Sequence, residues 1–329
     1  MNGTGDPPMV FSTGAGRALV ERVCRVLEVL PAPFEERNFE DGEHKTRPLE
    51  SVRGRDAYLV ESLHADAGVS VNDRLVRTLF FIAALHDAGA RRVTLIAPYL
   101  CYARKDMRTK TRDPVSIRYV AQLIESMRTS RILTLDVHNR AAYDCAFRIP
   151  AEHLTAAPIF ADVLARAIEQ REAVVVSPDA GGVKRAEAFR AILEQRLRRP
   201  VALAFIEKFR SEGGLRGGTL VGDVRGRVAV VFDDLISSGR TLALAAKACR
   251  ERGAEAVHAA ATHGVFSADA VAVLEGAAID RILVLDTVAR PRELEARLAP
   301  RLHVLPCAPL LASAVRALHE DGSLVALQQ

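Results

Sequence analysis

The chain has 329 residues, enough for two domains of ordinary size, and is 49% hydrophobic and 26% charged, so it can bury a sizeable core and stay in solution. It has no tryptophan, 5% aromatics and a net charge of +4, which argues against nucleic-acid binding by stacking or a strong basic field and fits anionic small molecules. Cys24, Cys101, Cys145, Cys249 and Cys307 are scattered without a C-x-x-C pair, so a reduced, cytoplasmic protein is expected rather than a zinc or disulfide framework. The N-terminus has no signal-peptide pattern, and no run approaches the roughly 18 apolar residues of a membrane helix.

In chain order, Gly14-Ala-Gly16 is half of a G-x-G-x-x-G pattern, with Leu19 where a third glycine belongs. It reads as a turn before a helix over Arg17 to Leu30. A helix over Arg74 to Ala88, with Leu75, Leu79, Ile82 and Leu85 at helical spacing, precedes a β-branched strand, Val93 to Ala97. The alternation continues with helix Ser116 to Met127, strand Ile132 to Leu135, helix Pro158 to Gln170 and strand Val174 to Ser177. Helix Gly182 to Leu197, strand Val201 to Ile206, strand Val228 to Phe232, helix Arg240 to Arg252 and strand Arg281 to Leu285 follow. This order predicts an α/β protein with two domains, each an open, mostly parallel sheet flanked by helices. The division falls near Pro150 to Pro158, giving domains of 1–152 and 153–329. A last helix, about Leu310 to Glu320, could pack back on the N-terminal half.

Ligands of open α/β sheets bind at the carboxyl ends of strands, and the chemistry-bearing motifs sit there. Val228-Ala-Val-Val-Phe-Asp-Asp-Leu-Ile-Ser-Ser-Gly-Arg-Thr241 is an apolar strand ending in Asp233 and Asp234, then a turn into a helix. Such a turn aims backbone N–H groups and hydroxyls at one point and suits a phosphate. Carboxylates there suit sugar hydroxyls or magnesium; a plain strand-to-helix turn with capping serines does not require them. Phe39-Glu-Asp-Gly-Glu43 is by itself a surface turn. Arg104 and Lys105, just past a strand, could clamp a triphosphate or could be solvated.

The strand-turn-helix segment resembles the phosphoribosyl-diphosphate loop shared by type I phosphoribosyltransferases and phosphoribosyl-diphosphate synthetases. Four further segments separate the two groups and resemble the synthetases: Phe39 to Glu43, Pro98-Tyr-Leu-Cys-Tyr-Ala-Arg-Lys-Asp106, Leu135-Asp-Val-His138 and Ser177-Pro-Asp-Ala-Gly-Gly-Val-Lys-Arg-Ala186. Ala261-Thr-His-Gly-Val-Phe-Ser267 also matches, and the order holds from about Phe11 to Thr287. The resemblance implies a ribose-phosphate diphosphokinase with two phosphoribosyltransferase-like domains, the active site between them, and assembly at least as a dimer. It implies Mg2+ as cofactor, with contacts at His138 and Asp179. It implies ATP binding by Phe39, Asp41, Gly42, Glu43, Arg104, Lys105 and Asp106. Ribose 5-phosphate falls to Arg210, Asp233, Asp234, Ser237, Ser238, Gly239, Arg240 and Thr241. Lys208 and Arg210 are the implied catalytic cations, at the stem of the glycine-rich segment Glu207 to Gly218, which reads as a mobile lid.

The chain departs from the family pattern at Lys105, where many members have glutamine, at Ser237-Ser238 for Asp-Thr, and at Gly239-Arg240 for a small residue and glycine. Phe209 replaces an arginine between the two cations, and the C-terminus lacks the Glu-Ser-Val-Ser ending. Rival readings are a phosphoribosyltransferase, which would not need the ATP-side segments, and a non-catalytic regulatory homologue, which would have lost His138, Asp179 or Lys208.

Overall fold

The computed structural model describes residues 5–66, 68–211 and 214–328; the side chains of Ala15 and of 208–218 are not part of that description. The chain forms two compact units, Met1–Thr155 with Cys307–Gln328, and Ala156–Pro306.

The first unit carries strands β1 (Met9–Phe11), β2 (Phe34–Asn38), β3 (His44–Pro48), β4 (Asp56–Val60), β5 (Arg92–Ala97), β6 (Arg131–Leu135) and β7 (Ala151–Leu154). Its helices are α1 (Arg17–Leu27), α2 (Val71–Asp87), α3 (Ser116–Ser126) and α4 (Arg140–Ala146). β1, β4, β5, β6 and β7 form a parallel sheet in that order, and β2 and β3 form a separate antiparallel hairpin. Alternate strand residues feed opposite faces. The register row Phe11, Leu59, Leu95 and Ile132 packs into one core with Phe81 and Ile82 of α2 and Ile124 of α3. α2 begins at a capping box, Ser70 with Asp73, which fixes where the helix leaves the loop after β4.

The second unit carries β8 (Ala173–Ser177), β9 (Ala202–Ser211), β10 (Gly214–Val221), β11 (Val228–Ile236), β12 (Ala256–Gly264), β13 (Arg281–Leu285) and β14 (Leu302–Leu305). Its helices are α5 (Ala157–Ile168), α6 (Val183–Leu197), α7 (Arg240–Glu251), α8 (Ala270–Glu275) and α9 (Arg292–Leu298). The sheet order is β10-β9-β8-β11-β12-β13-β14, parallel except for β10. Val176, Val231, Ala259 and Ile282 lie on one register row and pack with Leu242 of α7, Leu274 of α8 and Leu298 of α9. On the other face Phe232 stacks on Phe189 of α6 at 4.1 Å and meets Phe160 of α5 edge-on at 6.0 Å. Because the chain leaves β8 toward β9 on one side and resumes at β11 on the other, the sheet order reverses between β8 and β11. That is the place where doubly wound sheets bind ligands.

The helix α10 (Ala308–His319) belongs to the first unit, where it packs on α1. Arg316 Nη2 donates to the Val26 carbonyl at 3.3 Å, and the His319 ring meets Tyr58 of β4 with centroids 6.0 Å apart. Arg92 donates to Asp321 at 2.7 Å and also to Asp56. Burial alone would raise the Asp56 carboxyl; Arg92 and Arg91 outweigh it and bring it down to about 2.

Most of the described part of the glycine-rich segment Glu207 to Gly218 is strand. β9 runs on to Ser211, and β10 pairs back on it antiparallel from Gly214, with a register irregularity between Leu215 and Gly218. Backbone pairing to a neighbouring strand needs no large apolar side chains, so a glycine-rich composition is compatible with it.

Candidate functional site

At the reversal point, β8 and β11 bring two acidic ends together. Arg185, in the first turn of α6, donates through Nη1 to Asp233 Oδ1 at 2.7 Å and lies 2.9 Å from Asp234 Oδ1. Asp233 Oδ1 also accepts from the Asp234 backbone N–H at 2.9 Å. Burial first, and then the charge of Asp234, push the Asp233 carboxyl up to about 7, with Arg185 opposing them. Two adjacent acids can therefore stand beside an anion site because a guanidinium shares them. Arg185 lies in the segment Ser177 to Ala186, and the one trace of its role in the sequence is a cation one helical turn past the Asp-Ala-Gly-Gly turn.

Asp179 follows β8, and its Oδ1 accepts from the Gly182 N–H at 3.0 Å, capping the turn that enters α6. The Ser177 hydroxyl donates to the Asp179 carbonyl at 2.6 Å, and a Cβ on Gly182 would come within 2.8 Å of that hydroxyl oxygen. These contacts hold the backbone after β8 in one close-packed turn.

After β11, Ser237 and Ser238 lead to Gly239, the N-cap of α7, at φ 74°. A Cβ there would lie 2.8 Å from the Leu274 side chain, so both conformation and space select glycine. The first N–H groups of α7, from Arg240 and Thr241 onward, have no partner further back in the helix and point toward the turn. The Arg240 N–H reaches Ser238 Oγ only at 3.5 Å. The Arg240 guanidinium turns outward, to Asp269 Oδ2 at 2.7 Å, while Asp269 Oδ1 accepts from Ser267 Oγ at 2.6 Å. The arginine that distinguishes this turn is thus anchored beside it.

In the first unit, Phe39 to Glu43 form the tip of the β2–β3 hairpin. The Phe39 N–H donates to the Glu43 carbonyl at 2.8 Å, the Gly42 N–H to the Phe39 carbonyl at 3.1 Å, and the Glu43 N–H to Asp41 Oδ1 at 3.1 Å. Gly42 takes φ 91°, which this turn requires. The Phe39 ring is half exposed, with the Arg37 guanidinium 5.1 Å from its centre.

Past β5, Arg104 is exposed and makes no ion pair among the described residues. Lys105 Nζ donates to Asp113 Oδ2 at 2.7 Å and to Thr109 Oγ1 at 3.2 Å. The same Asp113 oxygen accepts the Thr109 and Lys110 N–H groups, and Lys105, then Thr109, hold its carboxyl far below the usual range. Asp106 Oδ2 accepts from Asn139 Nδ2 at 2.7 Å, and Asn139 Oδ1 caps α4 through the Ala142 N–H at 3.2 Å. Asn139, which no sequence motif singles out, therefore ties the loop after β5 to the loop after β6 that carries the exposed His138.

His138 lies in the first unit and Asp179 in the second. Among the described residues no three His, Cys, Asp or Glu side chains converge as a metal cage. The backbones of Lys208 and Arg210 pair with Gly218 and Leu215 across the hairpin; their side chains lie outside the described residues.

Comparison with known proteins adds the family. The model of the N-terminal domain of ribose phosphate pyrophosphokinase matches residues 8–127, the phosphoribosyl transferase domain residues 148–271, and the phosphoribosyl synthetase-associated domain residues 215–329. The ribose-phosphate pyrophosphokinase of Rhodopirellula baltica is 38% identical over 318 residues, 96% of either chain. That of Streptomyces avermitilis is 38% identical over 328 residues, covering 98% of this chain and 97% of its own. The crystal structure of phosphoribosylpyrophosphate synthetase from Mycobacterium smegmatis superposes with a TM-score of 0.87 at 35% identity, over 96% of this chain and all of that one. With near full-length identity well above 30% and a reversal point furnished as described, the chain is an enzyme of the ribose-phosphate pyrophosphokinase family.

Proposed function

We propose that the protein transfers the diphosphoryl group of ATP to the 1-hydroxyl of ribose 5-phosphate, giving 5-phosphoribosyl 1-diphosphate and AMP. The observation that carries this reading is the reversal point of the second sheet, where a phosphate-shaped turn at the start of α7 adjoins the carboxylate pair Asp233 and Asp234, bridged by Arg185. Ribose 5-phosphate answers both features. Its phosphate suits the N–H groups and hydroxyls of Ser237, Ser238, Gly239, Arg240 and Thr241. Its vicinal hydroxyls suit carboxylate acceptors. In the reaction O1 of the sugar bonds to the β-phosphorus, the bond from that phosphorus to the α-bridging oxygen breaks, and its electron pair leaves with AMP; the hydroxyl proton passes to water.

Such chemistry depends on positioning and charge neutralisation more than on a strong base. The hairpin tip Phe39, Asp41, Gly42 and Glu43 is the proposed adenine contact, and Arg104 with the Lys105–Asp106 loop the proposed polyphosphate contact. Lys208 and Arg210 are the proposed cations that meet the transferring group. His138 and Asp179 would contact Mg2+, which when bound neutralises phosphate oxygens. A homo-oligomer in the cytoplasm belongs to the same reading, and no helix among the described residues is long and apolar enough to cross a membrane. Purified protein should release AMP from Mg-ATP only when ribose 5-phosphate is present; AMP release indifferent to the sugar phosphate would refute the reading.

A further inference from the structure

At the amino-terminal edge of the second sheet, the opposite end from Asp233, a surface cavity of about 410 Å³ is lined by Val163, Arg166, Ala167, Glu169, Arg171 and Arg281. Three of six lining residues are arginines. Arg166, in the last turn of α5, and Arg281, the first residue of β13, make no ion pair among the described residues. Arg171 is fixed in place: its Nη2 donates to the Ala167 carbonyl at 2.6 Å and its Nε to the Ile168 carbonyl at 3.3 Å. The loop beneath is held by Arg199, whose guanidinium donates to the carbonyls of Gln170 at 2.7 Å and Glu169 at 2.8 Å. The opposing charges are Glu169 in the lining, Glu255 at 3.6 Å from Arg171 Nη1, and Asp280, which is paired with Arg250 at 2.5 Å; the lining itself, three arginines against Glu169, is net positive.

A second observation points the same way. His258 is the register partner of Arg281 and therefore shares its face of the sheet. It is 3% exposed, and neither ring nitrogen has a hydrogen-bond partner. Burial, then Arg281, and more weakly Arg171 against Asp280, bring the imidazole down to about 4, so it is neutral near pH 7. Buried polar atoms without partners are rare.

We propose that this cavity binds a small organic phosphate ester: the phosphate on Arg166, Arg171 and Arg281, and the carbon body on Val163 and Ala167. Guanidinium forks match phosphate oxygens in pairs, and the volume lies in the range of small-molecule sites and well above a bare phosphate. The test is isothermal titration of the full-length protein with phenyl phosphate and with inorganic phosphate, with and without saturating ribose 5-phosphate. The comparison is with Arg166→Gln/Arg281→Gln, both exposed positions whose loss leaves the core intact. Phenyl phosphate should bind the wild type whether or not ribose 5-phosphate is present, and about tenfold or more weaker to the double variant, since two charge-assisted contacts are lost. Its binding should also shift the ring NMR signals of His258. Equal binding by wild type and variant, or no sugar-independent binding, overturns the proposal. Inorganic phosphate binding as tightly as phenyl phosphate overturns the organic body. The difference between wild type and variant carries the result even if ribose 5-phosphate fails to bind, so this proposal and the proposed reaction fail separately.

Discussion

Replacing Arg185 by glutamine removes the guanidinium that touches both Asp233, at 2.7 Å, and Asp234, at 2.9 Å. In the wild type burial and Asp234 raise the Asp233 carboxyl to about 7, against the pull of Arg185. A neighbouring cation lowers a carboxyl pKa by about 1–3, so its loss should lift Asp233 by at least about one pH unit. A lift of one unit lowers the ionised fraction at a given pH by as much as about tenfold. Ionised Asp233 is the acceptor proposed for the ribose hydroxyls, so the KM for ribose 5-phosphate at pH 7 should rise about fivefold or more and recover toward pH 9. The linkage runs the same way for stability. A carboxyl whose folded pKa lies above its unfolded value contributes most below pH 4, and that contribution is lost as pH rises toward 7 and beyond. The variant should therefore lose stability relative to wild type on the alkaline side. The assay is initial-rate AMP formation from pH 6 to 9.5 at saturating Mg-ATP. Titration of the sugar phosphate itself cancels between the two proteins, so a variant whose KM profile overlays the wild type would refute the reasoning.

Gly239→Ala forces φ 74° on an L residue and sets a methyl 2.8 Å from Leu274; a loss of about 2–4 kcal/mol in urea unfolding is expected, with a raised KM for ribose 5-phosphate. Glu61 is fully buried, receives Arg74 Nη1 at 2.8 Å and the Thr13 N–H at 3.0 Å, and Glu61→Gln should cost about 3–5 kcal/mol by the same measurement. Lys105→Gln should change the ATP-to-GTP ratio of kcat/KM by less than about twofold, because its ammonium sits on Asp113 in a partly exposed pair worth about 0–1 kcal/mol; a large change would mean that the clasp opens onto the nucleotide. Lys208→Ala should cut kcat about a hundredfold with little change in KM, as for the loss of one transition-state contact, and a near-normal kcat would remove it from the mechanism.

The strands that position the site were legible because they are β-branched and apolar: Val93 to Ala97, Ile132 to Leu135 and Val228 to Phe232 all lie within observed strands. β12 was not. Ala-Val-His-Ala-Ala-Ala-Thr-His-Gly reads as helix or nothing by propensity, and only pairing between β11 and β13, with every residue buried, makes it a strand. Gly14 and Gly16, half of a G-x-G-x-x-G pattern, form the turn that enters α1 as their spacing suggested. In the structure they leave room for carboxylates: a Cβ would meet Glu36 Oε2 at 2.9 Å from Gly14 and Glu61 Oε2 at 2.8 Å from Gly16. The turn at Ser237 to Thr241 was visible from its glycine and hydroxyls. Arg185 was hidden, because a helical arginine reads as solvated until β11 is known to lie beside it. The Lys105–Asp113 clasp likewise depends on a loop path that eight residues of spacing cannot specify.

In the proposed reaction two phosphoryl groups, not one, move from ATP to the anomeric oxygen. ³¹P NMR of purified protein with Mg-ATP and ribose 5-phosphate tests it directly. Expected are loss of the three ATP resonances, growth of an AMP signal, and two coupled diphosphate doublets from a product that keeps its 5-phosphate signal. ADP with a sugar bisphosphate that shows two uncoupled phosphate signals, or ATP left unchanged beside an unaltered sugar phosphate, would contradict it.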